Sequence, residues 1–204
     1  LNYVIGILEK YNKNKGDYYK LKKSNTIPAK TLFPLSMKIN DSVSDGNKKY
    51  GDYYLSDYTI FASYNSAAGS TYENDWVDED ILVNMINTGA RFLDFEIYSI
   101  NNKAVIAVND TESCRETGTF NNLPLDTVLK KISTHAFIGS ENDPLFLQFR
   151  LKTSNPNVLK QLGDGLTKYF DQRLMPKYTQ ARKKSDTHIN KAKLKEFINK
   201  VVIL

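Results

Sequence analysis

Apolar and polar positions along this chain change their spacing at Tyr53. Before it, residues 10–52 mix Lys, Asn, Asp and Tyr without a regular period, and Gly16, Pro28, Pro34 and the SDGNKK stretch from Ser44 supply turns. An extended N-terminal arm over residues 1–52 is the expectation. Beyond it, strand-like and helix-like segments alternate. YTIFAS (Tyr58–Ser63) predicts a first strand. Val77–Thr88 predicts a helix: Leu82, Met85 and Ile86 line one side, Asp78, Glu79 and Asp80 suit the positive first turn, and Gly89 ends it. RFLDFEIY (Arg91–Tyr98) and Ala104–Val108 predict two more strands, Leu125–Thr134 a helix, and LFLQFRL (Leu145–Leu151) a fourth strand. Pro156 suits the start of a further helix that carries Leu159, Leu162, Leu166 and Phe170 at helical spacing. Lys193–Ile198 predicts a short helical lead into a last strand at Lys200–Leu204. Such alternation predicts an α/β domain over residues 53–204, with a parallel sheet and helices outside it, open or closed into a barrel.

Strand alternation also sorts side chains by face. In RFLDFEIY, Leu93, Phe95 and Ile97 share one face, opposite Phe92, Asp94, Glu96 and Tyr98. In LFLQFRL, Leu145, Leu147, Phe149 and Leu151 lie opposite Phe146, Gln148 and Arg150. If the apolar faces meet the helices, then Asp94, Glu96, Gln148 and Arg150 converge on the barrel interior. They would sit near the carboxyl ends of their strands, where barrel active sites lie.

Composition narrows the picture. A chain of 204 residues, 41% hydrophobic, can bury one sizeable core. A single cysteine, Cys114, excludes an internal disulfide and a multi-cysteine zinc site, and fits a reducing compartment inside a cell or a virion rather than secretion. Cys114 reads as a surface thiol in a polar loop. The opening LNYVIGIL is too short for a membrane-spanning helix and lacks the basic start of a signal peptide, while the closing VVIL suggests a piece of a longer chain. The net charge of +5 is unevenly laid out: residues 1–30 carry +5, residues 173–200 carry +7, and the middle carries −7. Basic flanks around an acidic middle suggest contact with something anionic, whether nucleic acid, an anionic lipid surface or an acidic protein partner, or else a pair of solvated surface segments. No base-reading motif accompanies them, so sequence-specific nucleic-acid binding is not expected.

YTIFASYNSAAGS, TGARFLDFEIY, AVIAVNDT and NDPLFLQFRLKTSN, in this order and spacing, resemble the X region of phosphatidylinositol-specific phospholipase C from Tyr53 to the end of the chain. The resemblance implies a partial or irregular TIM-type (β/α) barrel. In that family the first strand ends in Ser-His-Asn, the second follows Gly-x-Arg and carries acids, and the third ends in a second histidine. The fourth bears a glutamate in calcium-dependent members. Carried over by position, Tyr64 stands in place of the first histidine and is followed by Asn65. Val108 or Asn109 stands in place of the second. Cleaving a phosphodiester with the neighbouring inositol hydroxyl needs a base for that hydroxyl and an acid for the leaving group. Tyrosine, with a pKa of about 10, is a poor base at neutral pH, and valine and asparagine transfer no useful proton. His135 falls on a predicted helix and His188 in the basic tail, neither at a strand end.

The metal position changes as well. Asn65, Asp94 and Glu96 match three oxygen ligands of the calcium-dependent members, but the fourth position is Arg150, a cation aimed at a site that wants six or more oxygens. Bacterial members replace the metal with an arginine on the second strand, where this chain has Glu96. No metal or other cofactor is therefore expected. Arg150 is expected to bridge Asp94 and Glu96, with a pocket that accepts a phosphate or polyol through Arg150 and Asn65 as the rival reading. SYNS and LDFEIYS resemble the copies encoded by large DNA viruses, and that resemblance implies a scaffold within a virion or capsid assembly. Two alternatives stay open: a phosphodiesterase whose acid and base are rebuilt from Tyr64, Asp94 and Glu96, and a lipid-binding module. Trp76 and the tyrosines read as packing, and Gly163 lies within a predicted helix rather than in a phosphate loop.

Overall fold

The computed structural model describes residues 37–39, 51–69, 75–109, 117–138, 143–175 and 189–204. Cys114, His188 and the Arg182–Lys184 cluster lie outside them. The elements are β1 (Met37–Ile39), β2 (Tyr58–Ile60), β3 (Ala62–Ser63), α1 (Glu79–Asn87), β4 (Phe92–Ile100) and β5 (Lys103–Ala107). They continue with β6 (Leu123–Pro124), α2 (Leu125–His135), β7 (Leu145–Leu151), α3 (Pro156–Phe170) and β8 (Val201–Ile203).

Local chemistry sets the helix ends. The Asp78 carboxylate accepts the Asp80 amide and caps α1. At the other end Gly89, at φ 95°, lets its own amide reach the Ile86 carbonyl and the Ala90 amide reach the Met85 carbonyl. That double closure is one a side chain at this position would strain. Asn155 caps α3 ahead of Pro156.

The main sheet runs β6-β5-β4-β7-β8, with β3 also paired to β4, and it does not close among the described residues. It is a partial barrel. β3, β7 and β8 run parallel to their neighbours, as expected for strand–helix units. β5 does not: it runs antiparallel to β4. The expectation of an all-parallel sheet fails here because only Asn101 and Asn102 separate the strands. Both take positive φ (50° and 63°), which makes a tight hairpin of a segment too short for a crossover helix. The predicted first strand divides at Phe61. Its first half, β2, pairs antiparallel with β1, the only stretch of regular structure described within the arm, and its second half, β3, joins β4. Lys193–Ile198 forms a 3-10 turn at Leu194–Glu196 rather than a longer helix.

The sheet has two unlike faces. Leu93, Phe95, Ile97, Ile106, Leu145 and Leu147 face the helices and are buried against Leu82 and Ile86 of α1, Leu129 and Ile132 of α2, and Val158 of α3. The concave face carries a small apolar cluster of Tyr98, Val105 and Ala107 on β4 and β5 and a larger one at its amino-terminal end. There Phe146 and Val202, with the half-buried Phe92, pack on Tyr53, Leu55, Tyr58, Leu194 and Phe197, so that residues on either side of the barrel in sequence fill its floor. Phe146 sits 6.5 Å from Phe92 and 6.3 Å from Phe197, ring centre to ring centre. Burial, with the negative charge of Asp57 behind it, pushes the Tyr58 hydroxyl up to about 12.

Candidate functional site

Two residues further along each strand, the same face turns polar. The ladder sets Asp94 opposite Gln148 and Glu96 opposite Arg150. Asp94 and Glu96 are 3% and 1% exposed, which makes them costly charges unless they are paired. Arg150 pairs both. Its Nε donates to Asp94 Oδ2 at 3.0 Å, its Nη2 to Asp94 Oδ1 at 2.7 Å, and its Nη1 to Glu96 Oε1 at 2.7 Å. Nη2 also donates to Asn65 Oδ1. Burial alone would lower the Arg150 pKa, but the bonds to Asp94 and the charges of Asp94 and Glu96 outweigh it and hold the guanidinium firmly protonated.

Neighbouring elements lock these groups. Asn65, just after β3, takes a left-handed conformation (φ 47°) that asparagine tolerates better than most residues, and its backbone amide donates to Asp94 Oδ1 at 3.2 Å. Ser66 clasps the Asp94 backbone in both directions: its amide donates to the Asp94 carbonyl at 2.9 Å, and its Oγ accepts the Asp94 amide at 3.0 Å. Glu96 Oε2 accepts the Tyr98 hydroxyl at 2.7 Å and the Asn109 amide at 3.1 Å, and Lys152 Nζ approaches Oε1 at 3.7 Å. Two carboxylates thus meet two cations, and the local charge balances. The Asn65 Nδ2 group is buried without an acceptor among the described residues, since its amide is turned to offer oxygen to Arg150. Tyr64, 58% exposed, lies over the guanidinium with its ring centre 4.4 Å from Cζ, a cation–π contact on the solvent side.

Of the residues singled out by sequence, Tyr64, Asn65, Asp94, Glu96 and Arg150 come together. Gln148 shares their face, but its amide joins none of these bonds among the described residues. The Val108 side chain packs into the helix-facing core, so of the two positions after β5 only Asn109 reaches the acids, through its backbone. His135 ends α2, where its Nδ1–H donates to the Lys131 carbonyl at 2.8 Å, apart from the cluster. Tyr98 falls on the strand face that the alternation assigns to Asp94 and Glu96, though it was not named as a site residue. Ser66 and Lys152 were not singled out; extending the alternation from 148 and 150 to 152 points to the second.

Among the described residues, no group of three or more His, Cys, Asp or Glu is placed to hold a metal ion. The four oxygens offered by Asn65, Asp94 and Glu96 already surround guanidinium nitrogens at bonding distance. A calcium ion does not fit this donor set while Arg150 is seated in it.

A family model described as "Phosphatidylinositol-specific phospholipase C, X domain" matches residues 52–204. Among solved structures, the chain is similar to PLC21 of L. pealei, with a TM-score of 0.58 and 19% identity over 75% of this chain and 18% of that one. It is similar as well to PLC21 of S. officinalis, with a TM-score of 0.59 and 18% identity over the same shares. At such identities the likeness is one of fold, and the chain spans 18% of the length of either protein. Among curated protein sequences, none matches.

Proposed function

The chain belongs to the phosphatidylinositol-specific phospholipase C X-domain family, and we propose that it keeps the family's scaffold without its chemistry, serving as a structural or interaction module. The observation that carries this reading is the seating of Arg150. Its guanidinium occupies the position where the resemblance places a metal ligand, and it engages Asp94, Glu96 and Asn65 at once. Acid–base cleavage needs a proton acceptor free to reach a substrate hydroxyl. Here each carboxylate is already held by Arg150 and by neighbouring donors, and the histidine positions carry Tyr64 and Asn109 or Val108. The rebuilt-phosphodiesterase alternative would have to displace these bonds before a substrate could use either acid.

The reading extends to partners. A protein assembly such as a capsid, inside a virion or a cell, is the proposed setting, with the basic segments 1–30 and 173–200 touching acidic protein or anionic lipid surfaces; the charge layout supports this. If lipid is the target, binding to anionic vesicles falls as salt rises and weakens when Arg182, Lys183 and Lys184 are replaced by glutamine. Binding indifferent to both removes lipid from the proposal.

The decisive experiment incubates the purified chain with phosphatidylinositol and phosphatidylinositol-bisphosphate vesicles, with and without calcium, and measures inositol phosphate release. The expected result is no release above the protein-free blank. Release that is abolished by Asp94→Ala would overturn the proposal.

A further inference from the structure

The helix side of the sheet is covered unevenly. α3 packs on α2 and β5. It turns Gln161 to β5, where the side chain accepts the Ala104 amide at 2.9 Å, and Gly165 to α2, where a Cβ would lie 2.7 Å from a Leu129 methyl carbon. Helical spacing then puts Leu159, Gly163 and Leu166 on the opposite flank, which the strand order turns toward β7 and β8. On those strands Phe149, Leu151 and Ile203 share the helix-facing side. Leu151 is 47% exposed and Leu159 40%, while Phe149, Leu166 and Ile203 are only half-buried. The flank and the two strands form an open apolar trough.

Gly163 makes a notch in its wall. A Cβ there would meet nothing within 4 Å, whereas Gly165, two residues on, makes room for Leu129. Glycine weakens a helix interior, and at Gly163 no described residue uses the space that it leaves. A bare backbone between two leucines lets a second helix approach closely, with its side chains on either side of the notch.

The chain holds a segment of matching kind. In LNYVIGILEKY, Leu1, Val4, Ile5, Leu8 and Tyr11 recur at helical spacing, with Asn2, Gly6 and Glu9 on the other side. LNYVIGIL carries no charged side chain, and so apolar a run is costly to leave in water. Residues 1–12 lie outside the described residues. Reach is no obstacle, because residues 13–36, ahead of β1, span up to about 80 Å when extended.

We propose that residues 1–12 dock in this trough of the same chain as an amphipathic helix. Its apolar side lies on Phe149, Leu151, Leu159 and Leu166, and its backbone passes close over Gly163. The docked helix gives β7 and β8 the outer layer that α1 and α2 give the inner strands. The proposal is independent of the barrel mouth.

Two changes to the full chain test it. Ile5→Asp together with Leu8→Asp spoils the apolar side of the segment. In nitrogen-15 amide spectra this pair is expected to move the Leu151, Leu159, Gly163, Leu166 and Ile203 signals and to leave those of Ile81 and Leu82 in place. Gly163→Leu gives the second readout. Leucine is the better helix former, so on an uncovered flank it raises the urea midpoint. On a covered flank it fills the notch and expels the segment, so the midpoint of the full chain is expected to fall. It should rise only when Ile5→Asp and Leu8→Asp are already present. Four results overturn the proposal: trough signals that do not move, a Gly163→Leu midpoint that rises in the parent chain, trough signals that vary with protein concentration and so report a second copy, or an aspartate pair that alters only binding to anionic vesicles.

Discussion

On β7, Phe146 and Arg150 point to the same concave side four residues apart, yet they are held by different physics. Phe146 lies among rings and aliphatic side chains from Phe92, Phe197 and Val202, where every contact is non-directional and water is excluded. Arg150 lies among oxygens, and its contribution depends on direction and on charge balance. The floor is therefore tolerant in kind but sensitive to volume, whereas the mouth is tolerant of volume but sensitive to the loss of any one partner. A buried ion network of this type contributes less to stability than it costs when it is broken.

The first way to test that contrast is Arg150→Ala. It strands two buried carboxylates and is expected to lower unfolding free energy by about 3–5 kcal/mol at neutral pH. Urea melts check the loss. Recovery of the stability by Arg150→Met, which keeps bulk but no charge, would mean that Arg150 acts by packing, like Phe146. Phe146→Ala comes next, with a loss of about 3–5 kcal/mol softened by collapse of its ring neighbours. The Tyr98→Phe change removes one donor from Glu96 and should cost about 1–3 kcal/mol, measured by the same melts.

How far these regions were legible in the sequence follows from the range of the signals. Alternation in RFLDFEIY and LFLQFRL separates the helix-facing residues from Asp94, Glu96 and Arg150, because side-chain period is a local property of a strand. What covers the concave floor is not local. Tyr53 and Tyr58 meet Leu194 and Phe197 across most of the chain, and no period in either segment announces the partner. The β4–β5 hairpin was hidden for a different reason: Asn101-Asn102 is a weaker turn signal than Asn-Gly, and the pattern of alternating elements invited a crossover. Asn109 contributes through its backbone amide, a donor common to every residue but proline, so its side chain carries no signal.

Smaller effects sharpen the comparison at its solvent edge. Tyr64→Ala removes a ring stacked on a partly exposed guanidinium and should cost about 0.5–1 kcal/mol, visible as a slight fall in urea midpoint. Smallest of all, adding calcium or a chelator should leave the melting temperature of the parent protein unmoved. A calcium-dependent rise would show that the ion displaces Arg150 from the four oxygens it engages.

That expectation has a wider meaning. A diffusible ion occupies its site in proportion to its concentration, so a protein that relies on one changes state with its surroundings. Arg150 is a counter-ion on a leash: joined to the backbone, it cannot be diluted or exported. A melting temperature indifferent to calcium would mean that the mouth of this barrel is decoupled from the supply of free metal.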